Sequence, residues 1–126
     1  MGAVPRVRRQ LAAELGRAGE RAAAELLKRR GYEVVGSGFK ARRGEIDLVC
    51  RRGQELVIVE VKTRTTEAFG TPAQAVGARK RRALAAAASE YRLLAGWKGT
   101  IRYAIVGLVG KPDGGFEGEV IEDPFD

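Results

Sequence analysis

Gly44-Glu45-Ile46-Asp47-Leu48-Val49, then after a short turn Val57-Ile58-Val59-Glu60-Val61-Lys62-Thr63-Arg64, is the stretch that decides the fold. Each half alternates aliphatic and polar residues, the pattern of a half-buried strand. Successive strand side chains point to opposite faces, so the spacing puts Glu45 and Asp47 on one face. By the same count Glu60, Lys62 and Arg64 share a face of the second strand. Arg52-Gly53-Gln54-Glu55 lies between them, and glycine at the first central position suits a type II′ hairpin turn. With Gly53-Gln54 as the two loop residues, Asp47 stands opposite Glu60 and Glu45 opposite Lys62. A turn one residue earlier opposes Glu45 to Glu60 instead. Either register gathers three carboxylates and a lysine on one patch.

Such a patch is costly without a cation. Two carboxylates about 5 Å apart repel by roughly 3 kcal/mol at an effective dielectric of about 20. One alternative is a salt-bridged strand pair, with Lys62 and Arg64 neutralising Glu45, Asp47 and Glu60, since alternating charge on an exposed sheet face is ordinary. The other is a divalent-metal site beside a lysine. Mg²⁺ takes one or two carboxylates, keeps several waters and completes its shell with substrate phosphate oxygens. Phosphodiester hydrolysis uses those parts, with a nearby cation for the developing charge.

An acid, a hairpin and then Glu-x-Lys resemble the core of the PD-(D/E)XK nucleases. More closely, Gly16-Arg17-Ala18-Gly19-Glu20, Gly44-Glu45-Ile46-Asp47-Leu48, Val59-Glu60-Val61-Lys62-Thr63-Arg64 and Phe69-Gly70-Thr71-Pro72 resemble the YraN-type family of uncharacterised, endonuclease-like bacterial proteins. The resemblance covers nearly the whole chain and lies in the combination of motifs. It implies a restriction-endonuclease-like α/β fold: an αβββαβ core with a mixed central sheet flanked by helices. It also implies Mg²⁺ or Mn²⁺ on Asp47 and Glu60, with the Val61 carbonyl as a third ligand. Glu45 and Glu20 are secondary ligands, through water or a second ion, and Lys62 positions water or stabilises charge. Arg102-Tyr103-Ala104 departs from the family, where an aspartate is expected in place of Ala104, and that departure bears on catalytic competence.

The 126 residues read as one domain, with an apolar fraction of 44% that supports a real core. A net charge of +7 favours a polyanionic partner, nucleic acid first and an anionic membrane second, and the nuclease resemblance implies DNA as that nucleic acid. No run is apolar enough to span a bilayer and the N-terminus lacks a signal-peptide core, so the expected compartment is cytoplasmic. Histidine is absent, which excludes histidine-dependent nucleases, serine–histidine hydrolases and Cys/His zinc sites. The lone Cys50 alternates with Ile46 and Leu48 and reads as a small buried hydrophobe.

Residues 1–10 form a basic segment read as a tail. From about Leu11 to Arg30 the apolar residues recur at helical spacing, Gly19 allows a close approach to the sheet, and Gly31 caps the end. Glu20 lies on the shoulder of that stripe, with Lys28 or Arg17 as alternative partners. A first strand runs from Tyr32 to Phe39, ending in Gly36-Ser37-Gly38. Lys40, Arg42 and Arg43 then precede the acidic strand, placed for backbone phosphates. Thr71-Pro72-Ala73-Gln74 has the form of a capping box, with a catalytic Gln74 as the lesser alternative. The next helix breaks or bends at Gly77 and runs from about Ala78 to Leu94. Lys80 is in register with Leu84, Ala87, Tyr91 and Leu94 and leans toward the acidic patch or snorkels past it. Arg81 and Arg82 face solvent or nucleic acid, and Lys80 and Arg64 join Lys40, Arg42 and Arg43 with them as the candidate nucleic-acid-binding residues. A buried strand over Thr100–Val109 and an edge strand over Phe116–Ile121 follow. The functional expectation is a metal-dependent nuclease or DNA-processing protein. Its rivals are a non-catalytic nucleic-acid-binding module and a structural partner, for instance as a homodimer.

Overall fold

The computed structural model describes residues 6–64 and 76–125. A helix, α1 (Arg6–Arg29), precedes strands β1 (Glu33–Lys40), β2 (Glu45–Arg52) and β3 (Glu55–Arg64). Helix α2 (Ala78–Ala95) and strands β4 (Thr100–Gly110) and β5 (Phe116–Glu122) complete the chain. The five strands form one sheet in the order β1-β2-β3-β4-β5. Pairs β1–β2, β2–β3 and β4–β5 are antiparallel, while β3 and β4 run parallel, so the sheet is mixed. A parallel neighbour needs a crossover, and the segment carrying α2 supplies it.

The β2–β3 hairpin fixes where the polar residues fall. Gly53 has φ +60° and Gln54 does not go positive, as a II′ turn requires. Pairing runs from Arg52–Glu55 to Leu48–Val59, the register expected with Gly53-Gln54 as the loop. It stops there. Asp47 and Glu60, next in line, stand where the two strands part. The central strand is paired on both sides, and Leu56–Glu60 is buried without a break.

Each helix covers one face. Ala23 and Leu27 of α1 pack on Leu48, Cys50, Val57 and Val59, and Leu84, Ala87 and Ala88 of α2 on Ile46, Val49, Leu56 and Ile58. Ile46 thus lies on the opposite side of the sheet from Leu48 and Cys50, contrary to simple alternation. The change of face falls at Asp47. Gly38, which the register places opposite Asp47, has φ +62°, and a left-handed residue in one strand disturbs the local pleat. Cys50 is fully buried, and burial pushes its thiol up to about 11, so it is a core hydrophobe.

Two boundaries differ from the sequence reading. Helix α1 starts at Arg6 rather than near Leu11, because no breaker separates Arg6 from the helix formers that follow. Strand β1 runs through Gly36-Ser37-Gly38 to Lys40, within one residue of the expected Tyr32 to Phe39, with Gly36 paired to Val49 and Ser37 to Leu48. Leu94 is 72% exposed, so the buried stripe of α2 ends before it. Gly77 is the N-cap of α2, without a side-chain cap bond. The Thr71-Pro72-Ala73-Gln74 capping box and the expected loop from Thr65 to Gly70 lie outside the described residues.

Candidate functional site

Glu60 is the one buried charged residue in the core described here, 4% exposed at the end of the buried run Leu56-Val57-Ile58-Val59. Its Oε1 lies 3.4 Å from Lys80 Nζ and 3.7 Å from Lys62 Nζ. Its Oε2 is buried and has no hydrogen-bond partner among the described residues. Loss of hydration raises the Glu60 carboxyl to about 7, helped by the charge of Asp47 and opposed by Lys80 and Lys62.

Asp47 reaches across the gap where β2 and β3 part: the Val61 N–H donates to its Oδ2 at 2.8 Å. The carboxylate thereby takes the place of the backbone ladder that ends one pair earlier. Glu20, on α1, is pushed up first by burial, then by the charges of Asp47 and Glu45. Lys28 pairs with Glu25, not Glu20. The helix comes this close because Gly19 has no side chain; a Cβ there would lie 2.3 Å from Thr63 Oγ1. Glu45 is exposed at the start of β2, in register with Lys40. Asp47 is therefore common to two groupings, with Glu60 inward and with Glu20 and Glu45 outward.

Among the described residues no three Asp, Glu or Cys side chains converge into a ready metal cluster. Mg²⁺ needs only one or two carboxylates, however. A buried carboxylate with one bare oxygen, beside a second carboxylate anchored by a backbone amide, fits that modest demand. Asp47 and Glu60 are the pair that fits, with Glu45 and Glu20 flanking.

The basic residues fall at the same end of the sheet. Lys40, Arg42 and Arg43 are exposed around the β1–β2 turn, which closes by a 2.8 Å bond from Ala41 N–H to the Gly44 carbonyl. The Arg42 amide donates to Glu90 of α2 at 3.0 Å, and Gly44 lies close enough to Ala83 that a Cβ would meet its carbonyl at 3.0 Å. These contacts join the basic turn to α2. Lys80 leans inward to Glu60; Arg81 and Arg82 stay exposed, with the Arg81 guanidinium 5.5 Å from the centre of the Phe125 ring. Arg64 ends β3 beside Val109. Ala104 is buried in the α1-side core in register with Val59, so it serves packing. The Gly19–Thr63 and Gly44–Ala83 approaches bring helices onto the site; only Gly19 carried a local signal for this, a small residue on the apolar helix stripe.

A mixed five-stranded sheet between two helices, in the order αβββαββ whose first six elements are the αβββαβ core, with an acid and Glu-x-Lys on adjacent strands, defines a restriction-endonuclease-like α/β protein. The uncharacterised protein family UPF0102 matches over residues 19–108, and the chain belongs to that family. It is 42% identical over 112 residues to a UPF0102 protein of Symbiobacterium thermophilum, spanning 88% of this chain and 95% of that one. It is 44% identical over 95 residues to a UPF0102 protein of Anaeromyxobacter dehalogenans, spanning 75% of this chain and 71% of that one. The family span takes in Glu20, Asp47, Glu60, Lys62 and Lys80 alike. No helix among the described residues is long and apolar enough to cross a membrane.

Proposed function

We propose that this protein is a divalent-metal-dependent nuclease of the cytoplasm, acting on DNA. The observation that carries the reading is Glu60: a buried carboxylate with a bare Oε2, next to Asp47 and within reach of two lysines. A folding role alone gives no reason to leave a buried oxygen unpartnered. Asp47 and Glu60 would hold Mg²⁺ or Mn²⁺, with the Val61 carbonyl as third ligand and Glu45 and Glu20 acting through water or a second ion. The bound cation would polarise the phosphoryl group and lower the pKa of its water.

The protein's own groups do the remainder. Lys62, half-buried beside Glu60, orients the attacking water and offsets charge that develops on the phosphoryl oxygens. Lys40, Arg42, Arg43, Arg64, Arg81 and Arg82 contact backbone phosphates and set the strand in register without reading its bases. Asp47, held by the Val61 amide, keeps the two strand ends fixed relative to each other. A binding module without turnover is the second reading, favoured by the absence of a three-acid cluster among the described residues.

Cleavage of a panel of end-labelled DNA and RNA substrates with Mg²⁺ or Mn²⁺ tests the choice. Glu60→Gln and Lys62→Ala should each abolish metal-dependent cleavage while the circular dichroism of the fold persists. Cleavage that continues in Glu60→Gln, or in excess chelator, would rule out this mechanism.

A further inference from the structure

The contacts of Glu60 hold more than a ligand set. We infer that Lys80 is a resident countercation, which occupies Glu60 in the metal-free protein, competes with the divalent cation for it, and swings out when the cation binds. This rests on the reading of Asp47 and Glu60 as a metal centre.

Three observations lead there. Both lysines approach the same oxygen, Oε1, at 3.4 and 3.7 Å, while Oε2 is left bare. A closed lysine–carboxylate pair sits at about 2.7 to 2.9 Å. The pairing at Glu60 is looser than that, so it satisfies the charge without sealing the site.

The two lysines also differ in freedom. Lys62 belongs to the central strand, with its backbone held in register against Gly107 of β4. Lys80 sits in the first turn of α2, three residues past the N-cap Gly77, and its side chain is 39% exposed. A four-carbon side chain already partly in water can leave by rotamer changes alone.

The helix itself does not hold Lys80 in place. The first turn of α2 contains no acid and carries Arg79-Lys80-Arg81-Arg82, with no side-chain cap at Gly77. Cations are disfavoured at the positive end of a helix dipole. What retains Lys80 is the Glu60 carboxylate, and a divalent cation arriving there repels the ammonium. A freed Lys80 would join the exposed Arg81 and Arg82 beside it on α2, where a phosphate would be held. Lys80 therefore links occupancy of the metal site to the positive charge offered to substrate.

Titration calorimetry with Mn²⁺ alone tests this on the full chain, comparing wild type, Lys80→Met, Glu60→Gln and Lys98→Gln, the last removing an exposed lysine before β4. If Lys80 holds Glu60 about nine-tenths of the time, Lys80→Met tightens Mn²⁺ binding by about tenfold. Lys98→Gln should change it by less than about twofold, since a solvent-exposed distant charge is screened. In chelator, Lys80→Met should melt below wild type. Equal or weaker Mn²⁺ binding by a folded Lys80→Met overturns the inference and leaves the metal centre standing. Wild type that binds Mn²⁺ no better than Glu60→Gln overturns both. Should Lys80→Met fail to fold, wild type decides through amine acylation read by mass spectrometry. Labelling of Lys80 should rise with Mn²⁺ while Lys28 and Lys98 stay constant; an unchanged Lys80 overturns the inference.

Discussion

At Glu60 the chain accepts an ionisable group where its neighbours are hydrocarbon, and the consequence is a pH dependence of definite sign. Burial and Asp47 raise this carboxyl from 4.5 to about 7. Between those values the native state keeps a proton that the unfolded chain has released, so stability falls as pH climbs. The loss is complete above about pH 7 and on the order of 3 kcal/mol. In chelator, wild type should be less stable at pH 8 than at pH 5, whereas Glu60→Gln should show little of that slope. Asp47→Asn should remove part of it, because it deletes the charge yet keeps an oxygen for the Val61 amide. Urea melts at the two pH values measure all three; an unchanged slope in Glu60→Gln would place the effect elsewhere. The spacing of Lys80, Leu84 and Ala87 was enough to aim the lysine at the acids. That Glu60 would be buried with one bare oxygen was not legible, since alternating charge equally describes a wet sheet face. Only paired strands on both sides and α2 above decide it.

Between elements, the approach of α1 to β3 is set by a missing side chain. A Cβ at Gly19 would lie 2.3 Å from Thr63 Oγ1, yet 3.4 and 3.5 Å from the Thr63 Cβ and Cγ2. The collision is with one hydroxyl. Threonine is stiff at χ1, so Gly19→Ala must displace the helix or force a rotamer, at about 1 to 3 kcal/mol, partly offset by about 1 kcal/mol of helix propensity. Thr63→Ala removes the obstacle, and the double variant should return to wild-type stability or above it. The coupling in a double-mutant cycle measures this, and additive effects would contradict the contact. The hairpin itself was legible at this scale, since Gly53-Gln54 suits a II′ turn, but its register stood between two choices that only the observed pairing of Leu48 with Val59 decides. The first strand was legible to within one residue at each end, through Gly36-Ser37-Gly38, where pairing with β2 holds it. The change of face at Asp47 was hidden, since periodicity assumes an undisturbed pleat.

Across the whole molecule, positive charge is distributed in two states. At the hairpin end of the sheet Arg52 pairs with Glu122 at 2.6 Å, and Arg102 pairs with Glu55 and, at 3.0 Å, with Asp123. Those arginines already face carboxylates. At the opposite end, around Asp47 and Glu60, the exposed Arg43 and Arg82 form no ion pair among the described residues. Net charge alone, +7, announces a polyanionic partner without saying which end meets it. The ion pairs make that distinction. Phosphate binding releases counterions, and log K falls with log salt by about 0.9 per phosphate on duplex DNA. If about six phosphates are engaged, affinity drops roughly a thousandfold between 50 and 200 mM salt. Arg43→Gln with Arg82→Gln should weaken binding to every sequence and flatten the slope by about two phosphates' worth. Arg52→Gln should leave the slope alone and act on stability instead, because Glu122, whose carboxyl is held low by the Tyr32 hydroxyl and then by Arg52, loses the second of those partners. Fluorescence anisotropy on one labelled duplex over a salt series, with Ca²⁺ in place of Mg²⁺, reads both slopes. A slope that changes with Arg52 and not with Arg43 and Arg82 would mean that nucleic acid meets the hairpin end, far from Glu60, and that the acids serve some other chemistry.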